Sequence, residues 1–150
     1  MSAAADTRRT ALAFLGAYWR GDLAAVRELA APNAIIELPR SSPITSPAPL
    51  LDVMPLIFER VYPRFRNRHF DTAIERCVVD GGIALVEYEA NGMLVSGRWF
   101  SCRYLVALEV AAGRIVRFRP YTDTQYINAE LFSPAPPESQ VTPRAHHADP

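Results

Sequence analysis

Residues 87–123, EYEANGMLVSGRWFSCRYLVALEVAAGRIVRFRPYTD, decide the fold of this chain. Apolar and polar side chains alternate along the stretch, and Asn91-Gly92 and Ala112-Gly113 supply two tight-turn signals. These features predict a meander of three antiparallel strands at residues 83–90, 95–111 and 114–119. The middle strand is so long that we expect it to bend or bulge.

Helices are predicted before this meander. Asp6 or Thr7 can cap a first helix with an apolar face, Gly21-Asp22 ends it, and a second helix runs to Pro32-Asn33. A short strand at 34–38 and a proline-rich loop at 39–49 follow. A third helix should begin near Asp52 with a proline in its first turn, and residues 68–79 should form a further strand.

The order of elements predicts an α+β fold. Helices come early and antiparallel strands late, so we expect a curved antiparallel sheet wrapped around the N-terminal helices as a cone-shaped α+β barrel. Residues 1–132 make one domain, while residues 133–150 are proline-rich and should be a disordered tail. His146 and His147 lie in that tail and are given no catalytic role.

Composition excludes several classes of function. All 16 cationic side chains are arginine, which rules out Schiff-base chemistry and pyridoxal phosphate attachment. They balance 16 acidic residues, so no basic field predicts binding to nucleic acid or to a membrane. Without a signal peptide or membrane span we expect a cytoplasmic protein. Cys77 and Cys102 fit no metal spacing and are expected to be free thiols.

Two segments resemble the NTF2-like superfamily, specifically its SnoaL-like and ketosteroid-isomerase-like group. They are FLGAYWRGDLAAVRELAAPNAIIELP at the front and GRWFSCRYLVALEVAAGRIVRFRPYTD at the back. The resemblance covers most of residues 8–132. It implies a cone-shaped fold with a small-molecule pocket, in a superfamily that includes isomerases, cyclases, dehydratases, epoxide hydrolases and non-catalytic binding proteins.

The catalytic pattern of limonene-epoxide hydrolase can be laid on residues 87–123 without gaps. Glu89 falls at one aspartate of its Asp–Arg–Asp trio, Glu87 at the arginine and Pro120 at the second aspartate. Glu37 and Ile35 fall where the water-orienting Asn and Tyr belong. Only Glu89 keeps its charge type, so the resemblance does not predict epoxide hydrolysis.

Strand alternation predicts which residues of the last two strands face the interior. If Cys102 points inward, so do Tyr104 and three apolar neighbours: Phe100, Val106 and Leu108. On the last strand Val116, Phe118 and Pro120 should share that interior. This face is either a hydrophobic ligand cavity or simply a filled core.

Glu87 and Glu89 are the candidate catalytic residues. They share one face of their strand, and Glu37 could approach them from the first strand. If they point inward, at least one carboxyl would have a raised pKa suited to general acid/base catalysis. The alternative is that both face solvent while Val86 and Tyr88 face the core.

Two further side chains are predicted to contact substrate. Tyr18 on the first helix could direct its hydroxyl at a ligand, and His69 could line the pocket near a strand start. The leading hypothesis is a cofactor-independent enzyme, without metal, that acts on a hydrophobic small molecule as an isomerase, cyclase, dehydratase or hydrolase. The alternative is a non-catalytic small-molecule-binding or accessory protein. A homodimer through the outer sheet face is expected in either case.

Overall fold

The meander predicted from residues 87–123 forms the centre of one sheet. In the computed structural model, which describes residues 2–133, β4 (Ile83–Met93), β5 (Trp99–Ala111) and β6 (Arg114–Thr122) pair antiparallel. β3 (Asp71–Asp80) extends the sheet antiparallel to β4. The predicted tail at 133–150 lies outside the described residues, apart from Ser133.

The opposite edge of the sheet comes from the front of the chain. β1 (Ala30–Ile36) lies beside β6 and the short β2 (Ala48–Pro49) pairs with β1, so the strand order is β2-β1-β6-β5-β4-β3. β1 runs parallel to β6, which corrects the expectation of a purely antiparallel sheet. The sheet curves but does not close. The α+β class and the arrangement of helices against a curved sheet are confirmed.

Three helices cover the inner face of the sheet: α1 (Ala3–Arg20), α2 (Leu23–Leu29) and α3 (Leu50–Arg60). Ser2 caps α1, since its hydroxyl accepts a hydrogen bond from the Ala5 N–H. The predicted cap at Asp6 or Thr7 is therefore wrong.

The predicted third helix is confirmed, and α3 begins at Leu50, two residues before Asp52. Pro55 consequently lies beyond the first turn of α3. The short α4 (Thr124–Ile127) and a π turn (Asn128–Phe132) end the described chain. No helix within residues 2–133 is long and apolar enough to cross a membrane.

Asn91-Gly92 is not the hairpin turn. Both residues lie within β4 and pair with Ser101 and Phe100, while the chain reverses further on, around Gly97, whose φ is +86°. A Cβ atom added to Gly92 would lie 2.9 Å from Cδ1 of Phe65 and 3.1 Å from Cβ of Phe70. Glycine is required here by close packing of aromatic rings against the strand and not by turn geometry.

Candidate functional site

An aromatic pocket lies between the end of α1, the residues that follow α3 and the inner face of β4 and β5. It encloses about 330 Å³ of empty space, open mouth included. The lining residues share an apolar or aromatic character: Tyr18, Trp19, Val61, Tyr62, Phe65, Phe70, Tyr88, Ala90, Phe100, Tyr104 and Leu131. Such a concave apolar surface with few polar groups is typical of a small-molecule site.

Four tyrosines supply most of the polar atoms of the pocket. Burial raises the pKa of Tyr18 to about 12. Burial also raises the pKa values of Tyr62, Tyr88 and Tyr104 well above the ordinary tyrosine value. All four hydroxyls therefore stay neutral at physiological pH, and those without a partner in the protein can donate hydrogen bonds to a ligand.

Ring packing fixes the orientation of two of these phenols. Tyr88 stacks on Tyr104, with centroids 4.9 Å apart and planes 6° from parallel. The indole of Trp19 meets Tyr88 edge to face at 4.7 Å. The Tyr62 hydroxyl donates to the backbone carbonyl of Tyr18, so that hydroxyl is already engaged. These contacts join α1, β4 and β5 into one rigid wall.

The indole N–H of Trp19 is an unsatisfied polar group in this wall. Its nitrogen is buried and makes no hydrogen bond of ordinary geometry with residues 2–133. The Tyr88 hydroxyl is nevertheless near enough for the indole N–H to lower the pKa of that phenol, although burial dominates and the net direction is upward. The Trp19 N–H and the Tyr88 hydroxyl are thus neighbours in the pocket wall.

The C-terminal segment 124–132 covers one side of the pocket. Leu131 is 3 % exposed and contributes to the lining. Tyr126 stacks on Phe100 at 5.4 Å, and its hydroxyl accepts a hydrogen bond from the Ser101 N–H. The Arg98 guanidinium holds Glu130 in a two-point ion pair, with Nη2 2.6 Å from Oε1.

A second cleft lies beside this ion pair, between the β4–β5 hairpin and residues 129–133. It encloses about 420 Å³, open solvent included. Its charged groups are already engaged, because Arg98 pairs with Glu130 and Arg64 donates to the Ser133 carbonyl. The aromatic pocket, with free donors and an apolar wall, is therefore the better candidate for a ligand site.

Glu87 and Glu89 lie outside this pocket, which overturns their predicted role as inward-facing catalytic acids. Along β4 the buried residues are Ala84, Val86, Tyr88 and Ala90, so the alternate glutamates project from the outer face. Glu89 accepts a hydrogen bond from the Ser101 hydroxyl there. Burying Val86 and Tyr88 is favourable, whereas burying two unpaired carboxylates would be costly, and this difference sets the orientation.

Glu37 and His69 are also separate from the pocket, contrary to prediction. Glu37 forms ion pairs on the outer side of the sheet with Arg119, at 2.7 Å, and with Arg117, at 3.8 Å. The His69 side chain is 70 % exposed and contacts the Asp71 carboxylate at 3.0 Å. Each side chain has a charged partner available at the surface.

The predicted alternation of β5 is confirmed. Phe100, Cys102, Val106 and Leu108 are buried, Tyr104 is half-buried, and Trp99, Ser101 and Arg103 are exposed. Only Phe100 and Tyr104 among them line the pocket. Buried Cys102 instead places Sγ 3.1 Å from the Thr122 hydroxyl, and burial raises its pKa.

The inward face of β6 differs from the predicted one. Ile115 pairs with Val110 and Arg117 pairs with Glu109, so Val116 is an extra residue in a bulge. Ile115 takes the buried position that was expected for Val116.

Two predicted substrate contacts on β6 do not line the pocket. Phe118 is a core residue, packed edge to face on Phe14 and Tyr18 at 5.4 and 5.5 Å. Pro120 is half-buried opposite Val106. Both are outside the set of lining residues, which leaves Tyr18 and Tyr104 as the predicted contacts that the pocket brings together.

Several pocket residues have no clear signal in the sequence. The sequence pattern places Tyr88 in the core, and the structure pairs it with Tyr104 across β4 and β5. Tyr62, Phe65 and Phe70 come from two 3-10 turns and the connection to β3, where no periodic pattern marks an inward face. Leu131 reaches the pocket from the C-terminal π turn. Within residues 2–133, no group of three His, Cys, Asp or Glu side chains is arranged to hold a metal ion.

A family model described as the SnoaL-like domain matches residues 11–118. The chain belongs to the SnoaL-like domain family. A comparison with curated proteins finds no match. The family match covers α1 to β6, including ten of the eleven pocket-lining residues; the exception is Leu131.

Solved structures agree with this SnoaL-like fold. A protein named as a SnoaL-like polyketide cyclase from Jannaschia sp. CCS1 has a TM-score of 0.73 at 14 % identity, over 89 % of this chain and 96 % of its own. An NTF2-like protein from Burkholderia thailandensis E264 gives 0.70 at 22 %, over 85 % and 98 %. An LEH-like epoxide hydrolase from M. tuberculosis gives 0.64 at 22 %, over 85 % and 90 %. At these identities the likeness shows the fold alone.

Proposed function

We propose that this SnoaL-like protein binds an apolar ring compound in the aromatic pocket. The observation that carries the proposal is the chemistry of the lining, which combines apolar walls with neutral hydrogen-bond donors. Rings of Phe65, Phe70 and Phe100 offer flat surfaces for a ligand ring, and phenols of Tyr88 and Tyr104 offer donors at one wall. Burying apolar ligand surface there supplies the binding free energy.

Catalysis is the second candidate, and the neutral phenols favour it. Donors fixed in a water-poor pocket can stabilise the oxyanion of an enolate, as isomerisation, cyclisation or dehydration would require. The described lining residues include no carboxylate or imidazole to take up the proton. Such an enzyme would use solvent or a basic group of its own substrate as proton acceptor. Glu87 and Glu89 are not part of this proposal.

Nuclear magnetic resonance can test binding because the two tryptophans report on different surfaces. Trp19 lines the pocket, whereas Trp99 is 47 % exposed on the outer face, and Trp99→Phe assigns the two indole N–H signals. Titration with the bicyclic hydrocarbon tetralin should shift the Trp19 signal saturably and leave the Trp99 signal in place, because the ring stacks inside the pocket.

Controls follow from the outer-face glutamates. Glu87→Gln and Glu89→Gln should leave the dissociation constant for tetralin within about twofold, since a surface charge far from an apolar ligand contributes little. If the Trp19 signal does not move, or moves only together with Trp99, the pocket is not the binding site.

We further propose that the outer face of β3–β6 pairs with a second copy of the chain. Its centre is apolar: Val78, Ile83, Leu85, Leu105 and Tyr121 are each at least 40 % exposed. Both carboxylates and guanidinium groups surround that centre, including Glu87, Glu109, Arg76 and Arg119. A two-fold interface brings the same patch together twice, and a patch with charges of both signs is self-complementary.

Leu105→Arg should convert a dimer to a monomer, measured by sedimentation equilibrium. Leu105 lies in the middle of the patch, opposite Glu87 and Tyr121, so the substitution brings two bulky cations together across the two-fold axis and removes apolar contact area from both copies. Leu56→Arg is the matched control, because Leu56 is 36 % exposed on α3, away from the sheet face. A wild-type protein that sediments as a monomer would contradict the proposal.

A further inference from the structure

We propose that the indole N–H of Trp19, together with the Tyr88 hydroxyl, is a donor site that selects ring ligands carrying a carbonyl oxygen. The inference rests on the proposed function and adds the chemical class of the ligand. It starts from one atom, the Trp19 Nε1, which is buried without an acceptor from the described part of the chain. A buried donor without a partner carries a free-energy penalty that a ligand acceptor removes.

The remaining polar groups of the pocket explain why the acceptor must come from the ligand. The Tyr62 hydroxyl is engaged by the Tyr18 carbonyl. Indole nitrogen is a donor only, and it cannot accept from a neighbouring phenol. A phenol oxygen can accept, but the Tyr88 hydroxyl beside Trp19 forms no hydrogen bond of ordinary geometry with the indole N–H. The described lining residues include no carboxylate, so the oxygen of a ligand is the acceptor that would satisfy the indole.

The Trp19 N–H and the Tyr88 hydroxyl lie close enough to bind the same oxygen atom of a ligand. The Trp19 ring meets Tyr88 at 4.7 Å, and the Tyr88 hydroxyl is close enough for the indole N–H to affect its protonation. A carbonyl oxygen has two lone pairs and can accept from both groups at once. Tyr88 is held by its stack on Tyr104 and Trp19 by the end of α1, so the donors are fixed before the ligand arrives.

The same wall discriminates against other ligand groups. A donor-only group such as an ammonium cannot accept from the Trp19 N–H, so it would leave that buried donor unpaired. A hydrocarbon ring would still bind through its apolar surface, but it would leave the Trp19 N–H unpaired. A cyclic ketone satisfies both requirements. A cyclic ketone is therefore expected to bind more tightly than a hydrocarbon of equal shape.

α-Tetralone and tetralin are the matched pair that tests this preference, since they differ only by a carbonyl group in place of one methylene group. Ligand-observed relaxation NMR measures both dissociation constants in every variant. In the wild-type protein α-tetralone should bind about five- to tenfold more tightly than tetralin. In addition, α-tetralone should move the Trp19 indole proton downfield, as hydrogen bonding does, and tetralin should not.

Trp19→Phe keeps an aromatic ring and removes the donor. The ratio of the two dissociation constants should fall to about two while tetralin still binds, because the Tyr88 hydroxyl remains as a single donor to the carbonyl oxygen. Tyr88→Phe should reduce the ratio in part. Thermal unfolding of each variant confirms that it is folded. Trp99→Phe, which removes the exposed indole, is the matched control and should keep the wild-type ratio.

The outcomes separate the two proposals. Tetralin binding with no preference for α-tetralone overturns the donor site and leaves the pocket as a ligand site. A preference that keeps its wild-type size in Trp19→Phe places the donor elsewhere and also overturns the inference. If neither compound binds the wild-type protein, the proposed function fails as well.

Discussion

Phe100→Ala is expected to lower the free energy of unfolding by about 3–5 kcal/mol, the range found for large aromatic deletions in cores. Phe100 is 1 % exposed. Its ring meets Phe65 edge to face at 5.1 Å and stacks on Tyr126 at 5.4 Å. Removing the Phe100 ring takes away a packing contact of both Phe65 and Tyr126. Gly92 lies opposite Phe100 on β4 and has no side chain to fill the space.

Urea denaturation measures this loss. Trp99→Ala is the control on the adjacent residue, where a half-exposed ring should cost about 1 kcal/mol or less. Because Tyr126 anchors the segment 124–132, Phe100→Ala should also increase amide hydrogen exchange there. A loss of stability below about 1 kcal/mol would mean that Phe65 and Tyr126 move to fill the cavity, and it would contradict the prediction.

Alkaline pH is expected to unfold the protein steeply, with a midpoint of about pH 11–12, because the buried tyrosines release their protons more readily in the unfolded chain. The folded state holds the protons of Tyr18, Tyr62, Tyr88 and Tyr104 beyond the pH at which the unfolded chain releases them. Above about pH 10 the unfolded state binds fewer protons, so stability falls as pH rises, by up to about 1.4 kcal/mol per pH unit for each phenol. Below that pH the four groups contribute no pH dependence.

Phenolate absorbance and circular dichroism together measure this transition. The chain has six tyrosines and no lysine, so phenols and the two thiols account for the side-chain titration between pH 9 and 12. The phenols of Tyr18, Tyr62, Tyr88 and Tyr104 should ionise together with the loss of structure. The control Tyr121→Phe, which removes an exposed phenol, should leave the unfolding midpoint unchanged. Ionisation of the four buried phenols without unfolding would contradict the prediction.

Much of this fold could be predicted from local sequence patterns, because successive side chains of a strand point to opposite faces of the sheet. The alternation of β5 could be read from Phe100 to Leu108 since one face is apolar and the other polar. Gly21 ended α1 as expected, with a φ of +66°.

Residues that depend on distant neighbours could not be predicted in this way. On β4 both faces contain plausible inward residues, and the choice between Glu87 and Tyr88 depends on the helix packed above. Gly92 resembles a turn glycine until Phe65 and Phe70, distant in sequence, are placed against it. The pocket residues Tyr62 and Leu131 come from irregular segments for the same reason. A bulge at Val116 shifts the face of β6 without any turn signal.

The alternation along β4 assigns two different surfaces to a single strand. Tyr88 and Ala90 line the pocket, while Glu87 and Glu89, one residue away, project from the opposite face. A codon change at one position therefore alters the pocket wall with little effect on the outer surface, and the neighbouring codon does the reverse. A sheet of this kind lets mutation reshape the pocket and the outer surface independently, by changes that need not occur together.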